Sequence, residues 1–432
     1  MNVLRFSEPN YAERLRELLE HSSLFDKTIT DRTQAILDDV YLRGDTALVE
    51  LTERFDGATL QPEELAVSTA EFMGAALHAD ESLRDAVSVA SRNIQMFAKK
   101  SLRRNWSARN AQGAVVGEKF DPFQRVGIYI PGGTAPLAST CLMTILLARV
   151  AGCPQIVVCT PCNSGGKVNL ELLYAARSAG ATEVYRLGGA QAIAAMAFGT
   201  PTVRSVQKVF GPGNAYVVAA KRLLFGHVAV DLLPGPSEVM VLADDSANPA
   251  FAAADLLAQA EHGSGHERVW LVTTSVKILA AVEKELARQL PGLSRREYIE
   301  RALKNNGWLI LVKDLSAGVE LVNRLAPEHC EIMTRRSAQI ARQITTAGAL
   351  FIGPWSPTVL GDYLAGPSHT LPTGGAGASF GGLTVDQFQR RTSIVEYRRD
   401  SVKKSLATVR KFAALEGLDA HGRSAEIRLK KV

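Results

Sequence analysis

From Val126 onward, short runs rich in valine, isoleucine and leucine alternate with segments of helical length, and three of the runs end in a glycine turn. VGIYIPGG reads as strand then turn, STCLMTILLARVAG as helix and QIVVCTP as strand. LELLYAARSAG, EVYRLGG, AQAIAAMAFG, KVFGPGN and AYVVAAKRLLFG continue the series to VAVDLLPGPSEVMVLAD. Strands joined by helical crossovers run parallel, so the chain is α/β. The turns PGGTAP, GGAQA and GPGNA then fall at the carboxyl edge of the sheet, where open α/β folds bind ligands.

A second α/β block follows, through a helix at 249–262, RVWLVTTS, GWLILVKD, ELVNRLAPEH and GALFIGPW, without a matching set of glycine turns. The doubling points to two similar lobes, although no repeat of fixed period is visible. Before the first block, residues 10–100 carry 3.6-residue periodicity and read as mostly helical. TGGAGASFGG (373–382) reads as an ordered loop, and the chain from about Thr384 as a charged, mostly helical tail.

At 432 residues, two to four lobes are expected. The net charge of +5 is spread out. Basic runs such as Lys99-Lys100 and Arg398-Arg399 read as solvated faces, so neither a nucleic acid nor a membrane is expected as partner. The N-terminus shows no apolar secretory segment, and Arg149 or Lys221 interrupts the longest apolar runs, which excludes a spanning helix. Five cysteines, an odd number, argue for a reducing compartment, and cytoplasmic residence is expected. Cys159 and Cys162 form a lone CxxC with no second pair to complete a zinc site, and read as structural.

The dinucleotide fingerprint GxGxxG, with an acid about twenty residues on, is absent. The three glycine turns suit either a phosphate and ribose or nothing more than tight turns. Tyr129, Gln191 and Asn214 stand in or beside them. Elsewhere, Asn248-Pro249 opens a helix that Gly263 closes, placing Gln259 and His262 at i,i+3 with Asp255 a turn behind. Glu328 and His329 are adjacent after Pro327, Asp362 and His369 flank a Gly-Pro turn, and Glu416 and His421 lie in the tail. An amide, a carboxylate and two imidazoles make a set suited to zinc or another borderline divalent ion. On the residues alone, this describes a metal-assisted enzyme of unspecified reaction.

The string YIPGGTAPL, GGAQAIAAMAFGT, GPGNAYV, DLLPGPSEVMVLAD, LLAQAEHG, APEH, GDYLAGPSHTLPT and EGLDAH resembles the histidinol dehydrogenase family, in order, from about residue 25 to 430. The resemblance implies a homodimer in which two incomplete Rossmann-like lobes with parallel sheets are intertwined with those of the partner, with small terminal arms. It implies an N-terminal arm at 1–25, a zinc and substrate lobe from 26–127 and 239–383, an NAD lobe at 128–238 and a dimerisation tail at 384–432. It implies oxidation of L-histidinol to L-histidine through an enzyme-held aldehyde, with one zinc per subunit and two NAD reduced.

Zinc would be held by Gln259, His262, Asp362 and His421, the last from the partner subunit. Glu328 and His329 would be catalytic. Ser237, His369 and Glu416 would join the four metal ligands and the catalytic pair in contacting substrate, and Tyr129, Gln191 and Asn214 would contact NAD. His329, at an ordinary imidazole pKa of about 6.5, would take the hydroxyl proton, and Glu328 would activate the water that hydrates the aldehyde. HGSGHERV and GAGASFGG depart from the family pattern without removing a functional residue. A branch of the family acts on other alcohols, so membership leaves the substrate open. The rivals are a zinc hydrolase using the same ligands and a binding protein without turnover.

Overall fold

The computed structural model describes residues 1–19, 26–132 and 137–430. Residues 133–136, most of the PGGTAP turn, lie outside it. The strands are β1 (Asn2–Arg5), β2 (Trp106–Arg109), β3 (Val115–Pro122), β4 (Arg125–Tyr129), β5 (Gln155–Thr160), β6 (Glu183–Arg186) and β7 (Lys208–Phe210). They continue as β8 (Ala229–Val230), β9 (Glu238–Ala243), β10 (Arg268–Thr273), β11 (Gly307–Leu311), β12 (His329–Met333), β13 (Ala349–Ile352) and β14 (Gln389–Glu396).

Two parallel sheets carry the molecule, in the orders β6-β5-β4-β7-β8 and β1-β11-β10-β9-β12-β13. With β4 or β9 as the first strand, each contains 3-2-1-4-5, the Rossmann order without its sixth strand, β1 being added at the edge of the second sheet, so the two lobes share a topology as the doubled pattern implied. Helices cover both faces of each sheet, which is why β4, β9 and β12 are buried along their whole length. Alternate residues of one strand serve different cores. Val126 and Ile128 point to one and Tyr129 to the other; Val239 and Val241 face opposite to Met240 and Leu242.

Three features add to the outline read from the sequence. Asn2–Arg5 is an edge strand, pairing in parallel with β11 and burying Leu4 completely, so the N-terminus is part of a sheet. Four residues are too few to show a period, and their partner lies some 300 positions away.

The helices between Lys27 and Ser101 pack on the five-stranded sheet. Leu37, Val40 and Leu48 share a core with Tyr129 and Ile193, and Val87 and Ile94 share one with Val126 and Ile128. They share the cores of that five-stranded sheet.

The tail begins as a strand. β14 pairs antiparallel with β3, and with β2 they form a small third sheet. QRRTSIVE is mostly exposed and lacks the apolar alternation that marks a half-buried strand. The helices Arg399–Glu416 and Asp419–Ile427 follow, joined at the left-handed Gly417.

Candidate active site

The helix Pro249–Ala260 starts as its sequence dictates, with Asn248 Oδ1 accepting from the Ala250 amide at 2.9 Å and proline at the first turn. It stops at Ala260, and the chain turns through Gly263 at φ +95°. Gln259 is buried on the last turn. His262 therefore sits beyond the helix and folds back, its Nδ1 3.1 Å from the main-chain oxygen of Gln259. A carbonyl only accepts, so Nδ1 carries the proton and Nε2 keeps a free lone pair.

His329 opens β12 and Glu328 stands just before it, after a helix that ends with Ala326 at φ 45°, the only left-handed non-glycine among the described residues. Both side chains are buried. The neighbouring strand β9 holds them. Glu328 Oε2 accepts from the Glu238 amide at 2.8 Å, and the Glu328 amide points at Glu238 Oε2 at 3.4 Å. His329 Nδ1 donates to the Glu238 carbonyl at 2.8 Å, which turns Nε2 toward Asp362 Oδ1, 3.8 Å away. Asp362 comes from the short helix Thr358–Tyr363. His369 reaches across to the other lobe, its Nε2 3.4 Å from Thr140 Oγ1. The cluster thus lies at the amino edge of the six-stranded sheet and against the five-stranded lobe.

Burial governs the electrostatics. It pushes His329 down to about 3, with His262 and His369 adding to the effect and the Glu238 hydrogen bond opposing it. His369 falls to about 4 for the same reason. The expectation of an ordinary imidazole near 6.5 for His329 is thereby corrected: the ring is neutral through the physiological range. Burial lifts Asp362 to about 6, drawn back by His262. Burial also raises Glu328 well above the carboxylate range, reinforced by Glu238 and Asp362, and brings Glu238 to about 7, with Arg268 pulling the other way.

Two buried carboxyls escaped the sequence reading as parts of this region. Glu238 docks the 373–382 loop by accepting from the Gly374 amide at 3.1 Å. Glu331 accepts from the amide and hydroxyl of Thr358, at 2.7 and 2.5 Å, and burial, reinforced by the neighbouring Asp255, raises it well above the carboxylate range. The signal was a glutamate inside EVMVLA and inside HCEIM, two otherwise apolar strands.

Among the described residues, no three His, Cys, Asp or Glu side chains converge to hold a metal by themselves. The chain brings the Gln259 amide, the Nε2 of His262 and the Asp362 carboxylate toward one region, a donor set that fits a borderline divalent ion but leaves it short of a ligand. Glu416 and His421 are exposed on the C-terminal helices and have no hydrogen bond or ion pair to the cluster. Ser237 is half-buried in the turn before β9, its carbonyl accepting from Arg268.

Tyr129, Gln191 and Asn214 line one cavity of about 1620 Å³ at the carboxyl edge of the five-stranded sheet. The Tyr129 hydroxyl accepts from the Gly189 amide at 3.1 Å. Asn214 Oδ1 caps the following helix, bonding Tyr216 and Val217. Gln191 is buried with neither amide atom partnered, a cost that folded proteins rarely leave unmet. A ligand rich in hydroxyls and amides would meet it.

A family model for histidinol dehydrogenase matches residues 19–429. The chain belongs to the histidinol dehydrogenase family. Among curated relatives, histidinol dehydrogenase of Heliobacterium mobile is 43% identical over 96% of each chain. That of Geobacillus kaustophilus is 43% identical over 97% of this chain and 99% of its own. The crystal structure of histidinol dehydrogenase from Elizabethkingia anophelis superposes with a TM-score of 0.93 at 34% identity, covering 99% of this chain and 98% of that one. The family placement makes the protein an NAD-linked oxidoreductase.

Proposed function

We propose that this chain oxidises L-histidinol to L-histidine through an enzyme-held L-histidinaldehyde, reducing two NAD, as a zinc-dependent cytoplasmic homodimer. The observation that carries the chemistry is the single oriented nitrogen, His329 Nε2, facing Asp362 beside Glu328. When bound, NAD supplies the hydride acceptor for each oxidation and zinc a Lewis acid that orients the substrate nitrogens. Gln259, His262 and Asp362 would hold the metal, with His421 of the partner subunit as fourth donor. Ser237, His369 and Glu416 would complete substrate binding, and Tyr129, Gln191 and Asn214 would hold NAD.

The rest falls to the side chains. His329, neutral and with its lone pair fixed on Nε2, accepts the carbinol proton as the C–H bond breaks. That proton has to leave Nε2 before the second oxidation, while Nδ1 keeps its own on the Glu238 carbonyl. Between the oxidations a water must add to the aldehyde. A carboxylate lifted toward neutrality is the stronger base for that water, which gives Glu328 its task. His329 then takes the proton of the hydrate in the second oxidation.

Two features support a shared site. Among the described residues the metal set is one ligand short, and Phe412, Leu415 and Ile427 stand exposed on the helices that carry Glu416 and His421. Removing the metal with a chelator and restoring zinc tests the reading directly. Activity should vanish and return, and full activity in the metal-free protein would exclude zinc from the reaction.

A further inference from the structure

A nicotinamide-binding half-Rossmann lobe places an acidic residue at the end of its second strand, where it accepts hydrogen bonds from a ribose of the cofactor. Here the second strand is β5, and it runs from Thr160 into Pro161-Cys162-Asn163 without an acid. A carboxylate nonetheless stands at that spot. Asp56, last residue of the helix Asp45–Asp56, lines the same cavity as Tyr129, Gln191 and Asn214. A methyl group placed on Gly188 would lie 3.3 Å from both of its carboxylate oxygens, so the acid presses against the turn that follows β6.

The helix is fixed to the lobe. Leu48 and Leu51 enter the core, Asp45 Oδ2 accepts from the amide and hydroxyl of Thr202 at 3.0 and 2.8 Å, and Gly57 ends it in a left-handed turn. The Cys162 amide faces the Asp56 carboxyl, yet Oδ2 is buried without a partner. So are Thr160 Oγ1 and both amide atoms of Gln191, around the same cavity. Burial lifts the Asp56 carboxyl to about 6, the sign of a group lacking compensation.

We propose that Asp56 receives the hydroxyl pair of a ribose of the dinucleotide, standing in from an appended helix for the missing fingerprint acid, and so sets the preference for NAD over NADP. The inference rests on the reading of this cavity as the dinucleotide site. A carboxylate accepts from the 2′- and 3′-hydroxyls and repels a 2′-phosphate. Arg32, Arg54 and Lys167 also line the cavity and suit the diphosphate.

The test compares Asp56→Asn and Asp56→Ser with the unaltered enzyme, measuring KM and kcat for NAD and NADP at saturating histidinol. The histidinol KM and the thermal midpoint are measured in parallel. Losing a hydrogen bond to a charged group should raise the NAD KM roughly 10- to 100-fold. NADP use should not fall with it, so the NADP:NAD ratio of kcat/KM should rise by at least tenfold, with histidinol KM unmoved. An unchanged NAD KM, or equal losses with both cofactors, overturns the proposal. Asp56→Ser, which keeps an acceptor for the Cys162 amide, covers the case in which the asparagine variant fails to fold. Gln191→Leu separates the two readings. If it raises the NAD KM while the Asp56 variants do not, the cavity stands and Asp56 is wrong; if neither moves it, the cavity reading falls too.

Discussion

His329 Nδ1 lies 2.8 Å from the main-chain oxygen of Glu238, and that contact decides which ring nitrogen is basic. The strand pairing sets it, since His329 is in register with Val239, the residue after Glu238. Replacing His329 with asparagine keeps a donor for the carbonyl but removes the acceptor nitrogen. Both oxidations should slow by about 10²–10⁴, with histidinol binding retained, as measured by single-turnover NADH formation and equilibrium binding. A loss confined to binding would show that the ring only positions substrate.

Glu328→Gln keeps an acceptor for the Glu238 amide, now held at 2.8 Å, while abolishing the base. Oxidation of histidinol to the aldehyde should be slowed less than oxidation of the aldehyde. Supplying histidinol and histidinaldehyde separately resolves the two. Equal losses would contradict a role for Glu328 in activating water.

The exposed position of His421 leads to a test by mixing subunits. His421→Ala and His329→Asn homodimers should each be nearly inactive, and co-refolding them should restore activity in heterodimers. If heterodimers are confirmed by mass and remain dead, each site is built from one chain.

Much of this was legible in the sequence because parallel strands, buried on both faces, announce themselves as apolar runs, and crossover helices leave glycine at their ends. The metal-type donors could be found because they stand beside Pro or Gly where elements stop. Asn2–Arg5 and Gln389–Glu396 were missed for want of a local signal, their pairing being decided by partners far along the chain. The basicity of His329 was misjudged because burial is a tertiary property, invisible in APEH. Asp56 was passed over for a related reason: an acid at the end of a surface-type helix gains meaning only when folding brings it to β5.

Stability should depend on Glu183, whose carboxylate accepts from the two terminal guanidinium nitrogens of Arg125, at 2.5 and 2.7 Å. That pairing holds its pKa at about 2, below the ordinary 4.5. A depressed carboxylate stabilises the fold above its unfolded pKa, and the contribution is lost as pH falls from about 4.5 toward 2. Glu183→Gln should therefore cost roughly 1–3 kcal/mol at pH 7, before any discount for the partial exposure of the pair. The gap from the unaltered protein should close on acidification, in denaturant titrations at several pH values. A gap independent of pH would assign the loss to packing.

The central claim is a four-electron oxidation carried through on one enzyme, and counting NADH tests it most directly. With excess NAD, zinc present and limiting L-histidinol, two NADH should form per histidinol, with histidine as the product. One NADH with free aldehyde, or none, would contradict the account.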